Sequence, residues 1–205
     1  MGPLSDTRTG VIHQVKAVIL NGSGNDDETL DSIFNIIVNE LTDIEWEVES
    51  FILRDLKIAY CLGCFECWTK SPGVCRFDDA GREIARQFVQ SDVAVLFTPV
   101  TFGGYSSELK KALDRIICLI LPFFKKKDGE VHHKPRYDRY PRLMVVGVLP
   151  RADEESERIF KTLVDRNALN FDPPAHVGGV VLSGQGAEEI QKEIKSLLAA
   201  IEVVQ

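Results

Sequence analysis

Four of the chain's five cysteines, Cys61, Cys64, Cys67 and Cys75, fall within one short stretch, "CLGCFECWTKSPGVC". Thiolates this close together can hold a metal ion or a cluster, or stay free as redox thiols. The compartment decides among these chemistries. No apolar run approaches the roughly eighteen residues of a membrane span, and the opening residues MGPLSDTRTG lack the apolar core of a secretory signal. The expectation is therefore a cytoplasmic protein with no membrane association. In that reducing setting clustered cysteines serve more often as ligands or redox groups than as structural disulfides. Cys118 stands apart in the apolar run IICLILPFF and is expected to be core packing.

Two further stretches combine small residues with the start of a helical pattern. "NGSGNDDETL", residues 21–30, follows an apolar run and could present free helix N–H groups to a phosphate. "TPVTFGGYSSELKKALDR", residues 98–115, joins apolar surface, a glycine pair and a helix opened by serine, where a flat ligand could lie against backbone N–H groups. No Ser-His-Asp or His-Glu arrangement suggests nucleophilic or hydrolytic chemistry. With 31 acidic against 24 basic side chains the net charge is -7, which argues against a nucleic-acid partner.

The elements that must position these stretches alternate along the whole chain. "VKAVIL" reads as a strand and "TLDSIFNIIVNEL" as a helix with Leu30, Ile33, Phe34, Ile37 and Leu41 on one face. Trp46 to Leu53 alternates as a second strand, and the cysteine stretch follows it as a loop spanning 58–79. "AGREIARQFVQ", "DVAVLFTPV" and "SSELKKALDRIICLI" give helix, buried strand and helix. "RLMVVGVLP", "EESERIFKTLVDRNAL", "AHVGGVVLS" and "EEIQKEIKSLLAAIEVV" complete strand, helix, strand, helix. Such alternation predicts a doubly wound α/β domain, a parallel sheet with helices on both faces. Residues 1–14 are expected as an N-terminal extension and 15–205 as a single domain. The basic segment 123–141 interrupts the rhythm and is expected to be a solvated surface loop, with a lid or partner contact that attracts an anionic cofactor such as NADPH as the alternative. His132 and His133 are adjacent, a spacing that does not put both on one helical face, so a metal pair there is not expected. Ligands of such sheets sit outside the carboxyl ends of the strands, which places the chemistry in the first and third loops.

Taken in order, "ILNGSG", "CLGCFECWTKSPGVCRFDDA" and "TPVTFGGYSSELKKALDR" resemble the NADPH-dependent FMN reductase family and, within it, the iron-sulfur flavoproteins, over about Lys16 to Arg115. The resemblance implies a flavodoxin-like fold of five parallel strands in the order 2-1-3-4-5, with FMN at the switch point. It implies NAD(P)H as electron donor and a small molecule or protein as acceptor. It also implies a homodimer or higher homo-oligomer. Carried over by position, Asn21, Ser23, Asn25, Thr29 and Leu30 match the phosphate loop. Pro99, Val100, Thr101, Phe102, Gly103, Gly104, Tyr105 and Ser106 match the loop that holds the flavin ring. The short phosphate loop, without a G-x-G-x-x-G turn for a pyrophosphate, points to FMN over FAD.

Gaps of two, two and seven residues between the four clustered cysteines resemble the compact ligand sets of iron-sulfur proteins, so a [4Fe–4S] cluster is the leading reading. Structural zinc and free thiols are its alternatives, and a flavin-free binding module is the alternative function. The cluster is expected at the same end of the sheet as the flavin. Two features depart from the family pattern: Asp26, Asp27 and Glu28 crowd the phosphate loop, and Thr101 stands where a tyrosine is usual. Asn25 and Glu28 have the spacing of a capping box, so the helix would satisfy the donors a phosphate needs. Asp114 and Arg115 are expected to pair at a helix end, and Trp68 to be a packing residue.

Overall fold

Period-two burial builds the central sheet. In the computed structural model, which describes residues 14–24, 27–127 and 129–202, seven strands form. They are β1 (Lys16–Asn21), β2 (Glu47–Ile52), β3 (Val93–Pro99), β4 (Ile120–Lys127), β5 (Glu130–Pro135), β6 (Arg142–Leu149) and β7 (His176–Leu182). Five of them pair in the order β2-β1-β3-β6-β7, every neighbour parallel. Since β6 and β7 are the fourth and fifth strands of this sheet, the order is the 2-1-3-4-5 of a flavodoxin-like fold. Asn21 stands opposite both Ile52 and Phe97, so the loops that follow β1 and β3 leave the sheet side by side.

Among the described residues six helices form: α1 (Glu28–Asp43), the single turn α2 (Glu66–Thr69), α3 (Ala80–Gln90), α4 (Ser107–Arg115), α5 (Glu154–Phe171) and α6 (Ala187–Glu202). Alternate β1 side chains feed two cores. Ala17 and Ile19 pack with Ile33, Ile37 and Leu41 of α1 and Ile190 and Ile194 of α6. Val18 and Leu20 pack on the other face with Ile84 and Phe88 of α3, Leu109 of α4 and Phe160 of α5. Each fully buried aliphatic or aromatic side chain here contributes about 1.5–3 kcal/mol relative to exposure. No helix among the described residues is long and apolar enough to cross a membrane.

Three expectations change. The helix predicted from "SSELKKALDRIICLI" stops at Arg115, tightens into a 3-10 turn over Ile116–Leu119 and becomes strand at Ile120. Three β-branched isoleucines in this run favour extended backbone. The basic segment is not a loop: β4 and β5 form an antiparallel hairpin in which Lys125 faces His132 and Lys127 faces Glu130. Its charges find partners on α5 and the residue after it. Lys125 and Lys127 both bond Asp172, and Glu130 takes two bonds from Arg166 at 2.9 and 2.6 Å. The second strand is also a residue shorter at each end than Trp46 to Leu53.

Candidate functional site

The first and third loops are tied together by backbone and by one serine. Gly22 N donates to Phe97 O at 2.8 Å, and Ser106 Oγ donates to Gly22 O at 2.6 Å. That hydroxyl also caps α4, accepting from Leu109 N at 3.2 Å, while Ser106 N donates to Thr98 Oγ1 at 2.9 Å. A Cβ on Gly22 would lie 2.6 Å from Leu109 Cβ and 2.8 Å from Ser106 Oγ, so the loops close only around a glycine.

Within the first loop Asn21 is fully buried, and its Oδ1 accepts from Ser23 N at 2.8 Å. Its Nδ2 is a buried donor without a partner among the described residues, and such groups call for a ligand or water. Ser23 Oγ accepts from Arg54 at 2.6 Å; the same guanidinium reaches Gly24 O at 3.3 Å and grips Asp31 through two bonds of 3.0 and 3.1 Å. Arg54 lies in the 3-10 turn Leu53–Asp55 directly after β2. It brings a cation to the acidic loop from 31 residues away, which the local sequence did not reveal.

The expected capping box does not open α1. Asp27 is the N-cap, its carboxylate accepting from Leu30 N at 3.1 Å, and Glu28 is the first helical residue. Aspartate in this position reaches the third helical N–H directly, leaving Glu28 without that role. Asn25 and Asp26 lie outside the described residues. Leu30 is buried in the core and Thr29 is exposed.

The third loop turns through Thr101, Phe102, Gly103 and Gly104, with Thr101 N to Gly104 O and Gly104 N to Thr101 O both at 2.9 Å. Phe102 (φ 50) and Gly103 (φ 74) are both left-handed, the type I′ combination. Phe102 holds this conformation while fully exposed. Pro99 and Val100 lie half-buried beneath the turn, and Thr101 is exposed. Tyr105 points elsewhere: its ring packs edge-on against Phe160 with centroids 5.8 Å apart, and its hydroxyl accepts from Asn167 Nδ2 at 2.9 Å. Burial pushes this phenol up to about 12, so it keeps its proton at neutral pH.

The four clustered cysteines do converge. Cys61, Cys64, Cys67 and Cys75 line one small cavity of about 20 Å³ with Phe65, Phe77, Arg115 and Ile117. Cys67 is buried, Cys75 half-buried, Cys61 and Cys64 exposed. Burial raises the Cys67 thiol, and the neighbouring Cys75, Cys61 and Cys64 sulfurs raise it further. Cys118 packs in the core as expected, its thiol pushed by burial to about 12.

Arg115 forms the floor. Its guanidinium, 2% exposed, bonds both Asp79 oxygens at 2.8 and 2.9 Å, Ala59 O at 2.8 Å and Phe77 O at 3.4 Å, and sits beside the Cys75 sulfur. Its Nε is a buried donor with no hydrogen-bond partner among the described residues. Burial alone would raise the Asp79 carboxyl, but the Arg115 bonds, with Ala59 N and Gly81 N, outweigh it and hold the group low. The expected Asp114–Arg115 pair is therefore absent: adjacent helix residues point about 100° apart, and Asp114 bonds Lys110 on the surface.

Trp68 packs as expected. It stacks on Phe65 at 4.9 Å, tilts against His133 at 5.0 Å and donates Nε1–H to Ile117 O at 3.3 Å. His132 and His133 part company on the hairpin, the first toward Asn170 and Glu130, the second toward Leu121 O. No group of three or more His, Cys, Asp or Glu among the described residues could hold a single metal ion. Tetrahedral zinc at about 2.3 Å would need its sulfurs about 3.8 Å apart. The cysteine cavity also does not adjoin the first and third loops directly. Ser106 caps one end of α4 and Arg115 closes the other, about 13 Å along the axis at 1.5 Å per residue.

Residues 15–148 match the NADPH-dependent FMN reductase family. An iron-sulfur flavoprotein of Methanocaldococcus jannaschii is 30% identical over 101 residues, 49% of this chain and 51% of the relative. One from Archaeoglobus fulgidus is 30% identical over 103 residues, 50% of this chain and 46% of the relative. The chain thus spans about half the length of the curated relatives it matches. Among solved structures, an NAD(P)H:quinone oxidoreductase from Methanothermobacter marburgensis superposes with a TM-score of 0.65 at 11% identity, covering 94% of this chain and 96% of that one. An FMN-dependent NADH-azoreductase from Bacillus anthracis, in complex with FMN, gives a TM-score of 0.61 at 16% identity over 93% of this chain and 100% of that one. These two likenesses show the fold.

Proposed function

The chain belongs to the NADPH-dependent FMN reductase family, and from that premise we propose that it is an FMN-dependent oxidoreductase fed by NAD(P)H, with a [4Fe–4S] cluster on its four clustered cysteines. The observation that carries the flavin reading is Asn21 Nδ2, a buried donor left unfilled where β1 enters the phosphate loop. Beside it Arg54 and the exposed Thr29 supply a cation and a hydroxyl for a phosphate. Pro99, Val100 and the 101–104 turn offer a flavin ring an apolar seat and backbone. When bound, FMN supplies the chemistry, taking a hydride from the nicotinamide and passing electrons on. The residues here bind, orient and shield; none is asked to act as a nucleophile.

For the cluster the support is the donor chemistry. Four thiols of one loop line one cavity, and the buried Arg115 guanidinium lines it too, beside the Cys75 sulfur. Hydrogen bonds and charge at cluster sulfurs tune the potential, so Arg115 is placed to hold an anionic sulfur site. The present cavity has room for about one water, so loading requires the exposed segment 61–65 to move outward. Zinc fits less well, because among the described residues no three ligands stand together for one ion. A second copy of the chain is the expected partner, with the exposed Phe102 turn available to it.

Chromatography of the chromophore released from purified protein tests the flavin reading. FMN is expected. Recovery of FAD, or of no flavin after incubation with excess FMN, overturns it.

A further inference from the structure

The β4–β5 hairpin has two unlike faces. On the inner one Lys125 and Lys127 bond Asp172, Glu130 bonds Arg166 and His132 meets Asn170, all on α5 or at its end. The register sets Phe124 opposite His133 and Lys126 opposite Val131, so these four side chains make the outer face. Nothing among the described residues covers it. Phe124 and Val131 are 61% and 62% exposed, and the neighbouring Phe123 is 63% exposed. The apolar surface continues beyond the hairpin: Phe124 packs on His133 at 4.7 Å, His133 on Trp68 at 5.0 Å and Trp68 on Phe65 at 4.9 Å. Phe65 is exposed again, and so is Leu62. Four rings thus form one stripe from the hairpin to the cysteine loop. Single exposed apolar side chains need no explanation, whereas a continuous stripe marks a docking surface.

Charge selects the occupant. The segment 123–141 carries six Lys and Arg against three Asp and Glu, in a chain whose net charge is -7. Lys125 and Lys127 share one carboxylate, and Arg136 spends its guanidinium on Cys118 O and Ile120 O. Lys126 and Lys134 stand exposed with no ion pair among the described residues. A two-fold contact between copies would set this cationic face against itself, which disfavours a second copy. What fits is an anionic surface that also accepts aromatic rings. Directional bonds are scarce on the outer face: His133 Nδ1 is spent on Leu121 O at 2.7 Å, and the long-stemmed lysines are what is left. Rings at headgroup depth with lysines reaching out to charged groups are what a lipid interface takes up. A protein partner would be held by fixed polar contacts that this face does not offer.

We propose that the outer face of the hairpin, with Phe123, Phe124, Lys126 and Val131, docks the protein on the surface of an anionic lipid bilayer, the cysteine loop turned toward the headgroups through Phe65. This docking depends on neither the flavin nor the cluster. A protein without a long apolar helix can still lie at a bilayer surface, contrary to the expectation of no membrane association.

Cosedimentation of the full chain with phosphatidylcholine vesicles, with and without phosphatidylglycerol, tests it. Binding is expected only where phosphatidylglycerol is present, and it should weaken as salt screens the charges. Lys126→Ala should weaken it about fivefold and Phe124→Ser about tenfold. Ile44→Ser, at an exposed aliphatic residue closing α1, should leave it unchanged. All three side chains are exposed, so the variants are expected to fold, and circular dichroism checks that they do. Failure to bind phosphatidylglycerol vesicles, equal binding to both kinds of vesicle, or equal losses in all three variants overturns the proposal. So does retention on immobilised polyglutamate without binding to vesicles, which would assign the face to an acidic protein. A dimer that Phe124→Ser dissociates in sedimentation would likewise give the stripe to a second copy.

Discussion

Arg115 and Asp79, 36 residues apart, meet as a two-pronged ion pair, Nη1 to Oδ2 at 2.8 Å and Nη2 to Oδ1 at 2.9 Å, with side chains only 1% and 10% exposed. The pair fastens the end of α4 to the start of α3, and Asp79 also caps α3 through Gly81 N at 3.0 Å. Asp79→Asn leaves the guanidinium buried beside a neutral group. Removing one partner of a buried pair costs about 3–5 kcal/mol. Since the folded carboxyl titrates below its ordinary value near 3.9, its contribution is complete above that value and is lost as pH falls through the folded pKa. Urea midpoints of the native chain and Asp79→Asn should thus differ most at pH 7 and converge below about pH 4. A gap that persists undiminished in acid would assign the effect to packing.

Iron and acid-labile sulfide should be present in protein prepared without oxygen. Cys64→Ala should abolish both and leave FMN bound, because α4 separates the cysteine cavity from the flavin loops. Cys118→Ala should keep both, since that thiol is buried in the core and stays protonated. Loading should also weaken toward low pH, because thiolates must form first and burial holds the Cys67 thiol high. Stoichiometric zinc without sulfide would decide for the rival.

What the sequence made legible, and what it hid, follows from the range of the forces involved. Burial with period two or 3.6 is a local signal, and it located all five sheet strands and set α3 at Ala80–Gln90 to the residue. The β4–β5 hairpin was masked by its own charge: Lys125 and Lys127 read as solvated until Asp172, beyond the end of α5, is seen to neutralise them. The Asp128-Gly129 pair between the two strands is the local signal that could have revealed it. Asp114 lay nearest Arg115 in the chain and misled for that reason, while the true partner, Asp79, is the N-cap of another helix. Arg54 is the same case at the phosphate loop. Distant ion pairs leave no trace in local spacing.

In the proposed flavin site Arg54 reads the phosphate rather than the flavin ring. Arg54→Met should weaken FMN about tenfold, or about 1.4 kcal/mol, and change riboflavin, which lacks the phosphate, less than twofold. Parallel titrations followed by flavin fluorescence make the comparison. Equal losses for both ligands would mean that Arg54 only braces the loop through Ser23 and Asp31.

Asp27 sets two demands against each other at the start of α1. Its carboxylate caps Leu30 N at 3.1 Å and favours the helix dipole, worth roughly 0.3–1 kcal/mol, yet it repels a dianionic phosphate. An asparagine in its place would keep the cap, since asparagine serves as well there. Asp27→Asn should therefore tighten FMN about two- to fivefold, roughly 0.4–1 kcal/mol. The gain should shrink at high salt, which screens exposed charges. Coincident affinities at low salt would mean that the phosphate lies elsewhere.

Phe102 is the least comfortable residue of the third loop. It sits at φ 50 in the first central position of a type I′ turn, where asparagine or glycine is favoured, and its ring is fully exposed. A non-glycine residue held left-handed costs on the order of 1 kcal/mol or more, and an exposed ring recovers nothing from burial within this chain. Both penalties make sense if the ring covers something that arrives later, a flavin face or a second copy of the chain. Phe102→Asn should then raise the unfolding midpoint of the flavin-free protein, by about 0.5–1 kcal/mol on the scale of relieved turn strain, and at the same time weaken FMN or dissociate the oligomer. Thermal denaturation, FMN titration and sedimentation on one pair of proteins read all three. A variant that is more stable and unchanged in both flavin affinity and assembly would show that the strain serves neither.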